Sequence, residues 1–238
     1  MHTAAESGKL YFVPTPIGNL EDVTLRALRI LKEVDLVLCE DTRRAAILFQ
    51  KYDISTRRES FHDHNKIRRT PAIIERLKNG QALALITEAG TPGISDPGFY
   101  LIREAIIEGI PIEVLPGACA AIVGLVGSGL PTDRFAFEGF LPVKKGRKKR
   151  LEALRDESRT LIFYESPHRI GRTISDLLQV LGDRRAAWGR EISKIHEEYR
   201  RGTLSELSAA LDEKKPRGEY TLIVAGGDSK KKSYEQHQ

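Results

Sequence analysis

Two short polar clusters carry the residue types that move protons. Glu40-Asp41-Thr42-Arg43 follows an apolar run, and Phe61-His62-Asp63-His64-Asn65 follows a shorter segment. A carboxylate or imidazole held within hydrogen-bond reach can take the proton of a weakly acidic group. Asp41, Asp63 and His64 are therefore the candidate bases. His62, Asp63 and His64 are also metal-ligand types, but neighbouring residues of one loop seldom converge on a single ion. No clear partner cluster stands elsewhere, so no metal is expected. Cys39 and Cys119 are the only cysteines. Two thiols cannot build a four-cysteine zinc site, and each lies in an apolar stretch, as a small buried hydrophobe does.

Three Gly/Pro-rich segments follow short apolar runs. The first is Thr15-Pro16-Ile17-Gly18-Asn19, the second runs from Thr87 through Gly98, and the third is Leu115-Pro116-Gly117-Ala118-Cys119-Ala120-Ala121. Glycine lets backbone approach a ligand closely and proline stiffens the turn. The second segment lacks the Gly-Lys-Ser/Thr of a phosphate loop and is not a dinucleotide fingerprint. Rich in backbone donors and acceptors, with Glu88 at its mouth, it suits a nucleoside-bearing ligand whose ribose or amino group Glu88 would bond.

Cations come in groups. Lys144, Lys145, Arg147, Lys148, Lys149 and Arg150 crowd together, smaller pairs occur at Arg57–Arg58 and Arg68–Arg69, and Arg169, Arg190 and Lys194 lie at or past strand ends. A charge run is usually a solvated face, but six cations near a site mouth equally fit nucleic-acid phosphates. Ion pairing with Glu165 and Glu191 is the other reading of Arg169, Arg190 and Lys194.

The elements that must position these residues alternate. Strands are expected at Leu10–Val13, Leu36–Cys39, Ala82–Ile86 and Ile112–Leu115. Helices are expected from an Asp22 cap to Glu33 with Leu25, Leu28 and Leu31 on one stripe, and over Arg44–Lys51, Ile67–Lys78, Phe99–Glu108 and Ala118–Val126. Strand–helix repetition argues for a mostly parallel α/β sheet, which binds ligands at the carboxyl ends of its strands. A Gly/Ser/Pro break near Gly127–Pro131 precedes a second α/β pattern with mixed strand directions. The expected domains are 10–127 and 132–227, with flexible tails 1–9 and 228–238. The whole is 238 residues with 40% hydrophobic and 30% charged residues and a net charge of +5, which excludes a disordered, collagenous or coiled-coil chain. No apolar run reaches the roughly 18 to 20 residues of a membrane span, and no signal-peptide core opens the chain. A cytoplasmic protein is expected.

Taken in order, these segments resemble the ribosomal RNA small subunit methyltransferase I family of the tetrapyrrole methylase superfamily. The resemblance runs from about Leu10 to Gly227. It is carried by Val13-Pro14-Thr15-Pro16-Ile17-Gly18-Asn19-Leu20, Glu40-Asp41-Thr42-Arg43, His62-Asp63-His64-Asn65, Ala89-Gly90-Thr91-Pro92 with Ser95-Asp96-Pro97-Gly98, Leu130-Pro131-Thr132-Asp133-Arg134-Phe135, Glu138-Gly139-Phe140-Leu141-Pro142 and Ile162-Phe163-Tyr164-Glu165-Ser166. One departure is Thr87-Glu88, where similar proteins carry Ser-Asp. The resemblance implies two α/β domains with S-adenosylmethionine in the cleft between them, a homodimer, and methylation of the ribose 2′-oxygen of a cytidine in 16S rRNA. It implies cofactor contacts at Pro16, Glu88, Thr91, Cys119, Ala120, Tyr164, Arg190 and Glu219. Arg43, Lys144, Lys145, Arg169 and Lys194 are the residues expected to hold RNA phosphates.

Two other functions compete. A tetrapyrrole-precursor C-methyltransferase would also use a basic cleft, though the family-specific segments argue against it. A non-catalytic RNA-binding ribosome-assembly protein would use the basic run but leaves the three Gly/Pro loops without a purpose. Replacing Lys144, Lys145, Lys148 and Lys149 together is expected to weaken RNA affinity and flatten its salt dependence, as read by binding titrations at several salt concentrations. An unchanged salt slope rejects the phosphate contact.

Overall fold

The computed structural model describes residues 6, 8–212 and 215–227; the tail from Asp228 to Gln238, expected to be disordered, lies outside them. The chain divides into two compact units between Cys119 and Ala120. The helix expected over Ala118–Val126 begins at Ala120 and belongs to the second unit.

The first unit is a parallel sheet covered on both faces. Its strands are β1 (Leu10–Phe12), β2 (Leu36–Cys39), β3 (Arg58–Ser60), β4 (Leu83–Leu85) and β5 (Ile112–Val114). They stand in the order β3-β2-β4-β1-β5, with every pairing parallel. The connecting helices are α1 (Leu25–Glu33), α2 (Thr42–Lys51), α3 (Lys66–Lys78) and α4 (Gly98–Ile107). Side chains alternate across the sheet. Tyr11, Val37, Cys39 and Ala84 pack with Ile30, Leu31, Leu48 and Phe49 of α1 and α2. Leu10, Phe12, Leu38 and Leu83 pack with Ile73, Ile74, Leu77 and Leu101 of α3 and α4. Each buried Val, Leu, Ile or Phe among them contributes about 1.5–3 kcal/mol on leaving water, and burial on both faces is why β1, β2 and β4 read as unbroken apolar runs.

Two local expectations are corrected. Thr24 rather than Asp22 caps α1, its Oγ1 accepting from Ala27 N at 3.0 Å, while Asp22 closes a short 3-10 turn capped by Asn19. Leu25 is 87% exposed; Ala27, Ile30 and Leu31 form the buried stripe instead. Strand β3, with the sequence Arg-Glu-Ser, has no apolar signature and is fixed by pairing with β2.

The second unit holds α5 (Ala120–Ser128), β6 (Phe135–Phe140), α6 (Arg147–Ala153), β7 (Thr160–Glu165), α7 (Ile170–Leu181), β8 (Arg185–Arg190), β9 (Glu198–Thr203), α8 (Leu204–Asp212) and β10 (Tyr220–Val224). Its sheet order is β6-β7-β10-β8-β9. Only the β6–β7 pair is parallel, so the sheet is mixed, as expected. One face packs Phe163, Trp188, Leu222 and Val224 against Leu151, Ile174, Leu177 and Leu207 of α6, α7 and α8. Helix α5 lies close on β10. A Cβ at Gly124 would stand 2.7 Å from Thr221 Cγ2 and 3.4 Å from Ile223 Cδ1.

Arg147 does not belong to a solvated cationic run. It is only 4% exposed. Its Nε donates to Asp176 Oδ2 at 2.8 Å and its Nη2 to Thr173 Oγ1 at 2.9 Å. Thr173 in turn donates to the buried Glu165 carboxylate at 2.7 Å. Arg147→Ala would remove the guanidinium from Thr173 and from Asp176, which keeps Arg172 at 3.7 Å, and is expected to cost about 1–3 kcal/mol, measurable by urea unfolding, because buried hydrogen-bonding groups lose their partner.

Candidate active site

Strands β4, β1 and β5 are neighbours, so the three Gly/Pro loops leave the same edge of one sheet side by side. Hydrogen bonds join them. Thr15 N donates to Gly90 O and Gly90 N to Thr15 O, both at 3.0 Å, making an isolated antiparallel bridge between the first and second loops. Thr15 Oγ1 donates to Thr87 O at 3.2 Å, and Thr91 Oγ1 to Ala118 O at 2.9 Å, which ties the second loop to the third. A Cβ on Gly117 would stand 2.4 Å from Pro14 Cβ, so only glycine lets the first and third loops close up. Gly90 and Gly93 have φ of 82° and 93°, the left-handed region that favours glycine. Asp96 holds the far end of the second loop, accepting from Gly93 N and from Gly98 N, the latter at 2.7 Å.

Pro16 and Thr91 thus lie in the joined loops, and Cys119 follows Ala118 at the end of this unit. Glu88 points elsewhere than to the loop backbone: its carboxylate pairs with Arg44 of α2. Around it the sheet edge is acidic. Glu40 follows β2, Asp63 follows β3, and Glu88 and Asp96 follow β4. Burial, with Asp96, Glu88 and Asp63 adding like charge, pushes the Glu40 carboxyl up to about 7. Sequence reasoning did not single out Glu40; its place as the first residue beyond a buried strand was the available signal. Asp41 has a different job. It caps α2 and pairs with Arg43, whose side-chain and backbone hydrogen bonds hold its carboxyl down to about 2, so it is a weak base.

In the His62–Asn65 turn, Asn65 Oδ1 accepts from His62 N at 2.9 Å. That turns Asn65 Nδ2 toward His62 Nε2, 3.1 Å away. His62 Nδ1 is buried without a hydrogen-bond partner among the described residues. Asp63 is exposed and pairs with Lys66 at 2.7 Å, and the His64 ring lies 5.9 Å from that of His62. Among the described residues no group of three metal-ligating side chains stands together.

In the second unit, Tyr164 Oη accepts from Ala121 N at 3.0 Å, at the start of α5 beside Ala120, and its ring meets Phe137 edge-on at 5.0 Å. Arg190 pairs with Glu198 at 2.9 Å, and Lys194 with both Glu191 and Glu219 at 2.9 Å. Arg169 pairs with Glu165 at 3.3 Å and donates to Leu141 O. Arg169, Arg190 and Lys194 are thus engaged within the protein. Of the basic run, Arg150 pairs with Glu138 at 2.6 Å, while Lys144 and Lys145 are exposed.

A parallel sheet whose carboxyl-edge loops join into one surface, followed by a mixed-sheet unit, is an architecture with known counterparts. The family model of Tetrapyrrole (Corrin/Porphyrin) Methylases matches residues 9–208, and the chain belongs to this family. It is similar to Ribosomal RNA small subunit methyltransferase I of Thermotoga maritima, 45% identical with 92% of this chain and 99% of the relative covered. The protein of the same name from Pseudomonas aeruginosa is 50% identical, over 92% of this chain and 79% of that one. The resemblance drawn from the loop segments therefore holds across nearly the whole chain. Among solved structures, uroporphyrin-III-C-methyltransferase from Thermus thermophilus shares the fold with a TM-score of 0.66 at 24% identity, covering 92% and 94% of the two chains. Diphthine synthase does so with a TM-score of 0.72 at 16% identity, covering 92% and 90%.

The raised Glu40 carboxyl has a consequence for stability. Between the ordinary carboxylate range and about 7 the folded chain keeps a proton there that the unfolded chain has lost, so stability falls as pH rises through this window. Glu40→Gln removes that term. The variant is expected to gain roughly 1–3 kcal/mol over wild type between pH 5 and pH 8, read as a growing difference in unfolding midpoint.

Proposed function

We propose that this chain is an S-adenosylmethionine-dependent methyltransferase that methylates the ribose 2′-oxygen of a cytidine in 16S rRNA of the small ribosomal subunit. The observation that carries the reading is the three hydrogen-bonded Gly/Pro loops on one parallel-sheet edge, in a chain 45% identical over nearly its full length to a ribosomal RNA small subunit methyltransferase I. The residues at that edge fit the cofactor's chemistry. Backbone groups of the glycine-containing turns suit a nucleoside, and Glu40, Asp63, Glu88 and Asp96 supply negative charge opposite a sulfonium cation. Pro16, Glu88, Thr91 and Cys119 are the proposed cofactor residues there, and Ala120, Tyr164, Arg190 and Glu219 complete the proposed set.

S-adenosylmethionine, when bound, supplies an electrophilic methyl group. The chain's own tasks are to hold the ribose hydroxyl in line with that methyl and to take its proton. Alignment at a near-attack distance, about 3 to 3.5 Å, supplies much of the rate. Glu40 is our acceptor: a carboxyl near 7 is substantially ionised at neutral pH and still basic enough to receive a proton. Glu40 would receive the 2′-hydroxyl proton. Asp63, whose charge acts on Glu40, and His64 are the proposed positioning groups, and Arg43, Lys144 and Lys145 the proposed phosphate contacts. Two finer features belong to the same reading. Helix α4 carries exposed Phe99, Ile106 and Ile107, apolar surface of the kind that a second copy covers in a homodimer. No helix among the described residues is long and apolar enough to cross a membrane, and a ribosomal substrate makes the cytoplasm the expected site of action.

The test is mapping of ribose methylation in 16S rRNA from a deletion strain, with and without complementation. One 2′-O-methylcytidine is expected to disappear and return with the wild-type gene; an unchanged methylation map overturns the proposal. Glu40→Gln is expected to slow single-turnover methyl transfer about 100- to 10,000-fold and to abolish a rate rise through pH 7. A wild-type rate in that variant rejects Glu40 as the acceptor.

A further inference from the structure

Strand β3 is the edge of the first unit's sheet, and arginines crowd it and the helix that follows. On β3, Glu59 is the hub. Its carboxylate takes Arg57 Nη2 at 3.0 Å, Arg76 Nη1 at 3.1 Å, and the Arg69 guanidinium. Arg69 also donates to Ser60 O at 2.6 Å, which fixes its plane against the strand end. On α3, positions 68, 72 and 76 fall at i, i+4 and i+8, so Arg68, Ala72 and Arg76 share one stripe with Asn65 and Arg69 beside it. Arg68 is exposed and has no ion-pair partner among the described residues. Three guanidinium groups therefore meet the single carboxylate Glu59, and a fourth, that of Arg68, is exposed on the same helix face. Helical spacing puts Glu75 at the margin of the same face, and the balance stays positive with it included. Between strand end and helix lies a cavity of about 320 Å³ lined by Ser60, Asn65, Arg68, Arg69 and Ala72.

Such an arrangement needs a reason. Arginines repel one another, and one carboxylate shared among three leaves their mutual repulsion only partly offset. An external anion is the missing counter-charge. Guanidinium groups present paired donors in a plane that matches two phosphate oxygens, which lysines do not. Arg69 is held in orientation by Glu59 and Ser60 before any ligand arrives, so little rotamer freedom is lost on binding. Small polar Ser60 and Asn65 and the short Ala72 leave room beside the guanidiniums for a sugar as well as its phosphate.

We propose that the β3–α3 edge is a phosphate-binding subsite for the RNA strand that enters the active site, with Arg68 and Arg57 as the contacting cations and Arg69 held by Glu59 at its base. The inference rests on the RNA-methyltransferase reading and deepens it. His62-Asp63-His64-Asn65 is the turn that joins β3 to α3, so a strand gripped here passes the acidic sheet edge where the ribose hydroxyl must be presented. Sequence alone noted Arg57–Arg58 and Arg68–Arg69 only as minor pairs.

The test compares Arg57→Glu/Arg68→Glu with Arg26→Glu/Lys32→Glu, an equal charge change on α1, where Arg26 faces Glu113 of β5 at the opposite edge of the sheet. Binding of small-subunit rRNA is titrated from low to high salt, and S-adenosylmethionine binding is measured by calorimetry as a check on folding. The β3–α3 variant is expected to lose about tenfold or more in RNA affinity and to flatten the log–log salt slope by about 1.4, the loss of two phosphate contacts on a single strand, with cofactor affinity unchanged. Equal affinity and slope in the two variants overturn the subsite. Wild-type protein that binds the cofactor but neither binds nor methylates the RNA overturns the underlying reading instead.

Discussion

The site depends on strand order. Because β4, β1 and β5 are adjacent and parallel, three loops far apart in sequence must emerge together, and each can satisfy its backbone groups on the next. The reciprocal Thr15–Gly90 hydrogen bonds are the clearest expression of this. Glycine is required where the loops touch, since a side chain at Gly117 would collide with Pro14. Were β1 at the sheet's margin, the loops would part and their polar backbone would face only water.

Charge is sorted along the same unit. The carboxylates Glu40, Asp63, Glu88 and Asp96 collect where the strands end, and burial, with the like charge of the other three, raises Glu40. The arginines Arg57, Arg68, Arg69 and Arg76 collect at the β3 margin, organised around Glu59. A cationic methyl donor and a polyanionic substrate call for opposite potentials a short way apart, and the unit supplies both. In the second unit, by contrast, Arg147, Arg169, Arg190 and Lys194 are neutralised at home by Asp176, Glu165, Glu198, Glu191 and Glu219.

Periodicity made most elements legible. Buried strands such as Leu36–Cys39 read directly because both of their faces are covered, and Gly109 marks the end of α4 with its φ of 67°. Strand β3 was invisible because an edge strand of Arg-Glu-Ser carries no apolar signal. The Asp22 cap was misread because Asp22 and Thr24 are both good caps, and only the chain path through a 3-10 turn chooses between them. At the site, the loops and the polar clusters were legible as residue types. The roles of Asp41 and Glu40 were not, since neighbouring carboxyls differ only in what surrounds them.

The sequence by itself determined the alternation of strand and helix, the two-part organisation, the positions of the turn-forming glycines and prolines, and the family segments. All of these are local, written in the order and spacing of residues. Tertiary structure alone decided which loops meet, which carboxyl is raised and which lowered, and which arginines remain available. Those outcomes depend on desolvation and on charges brought together from distant points of the chain, and such distances exist only once the sheet has formed.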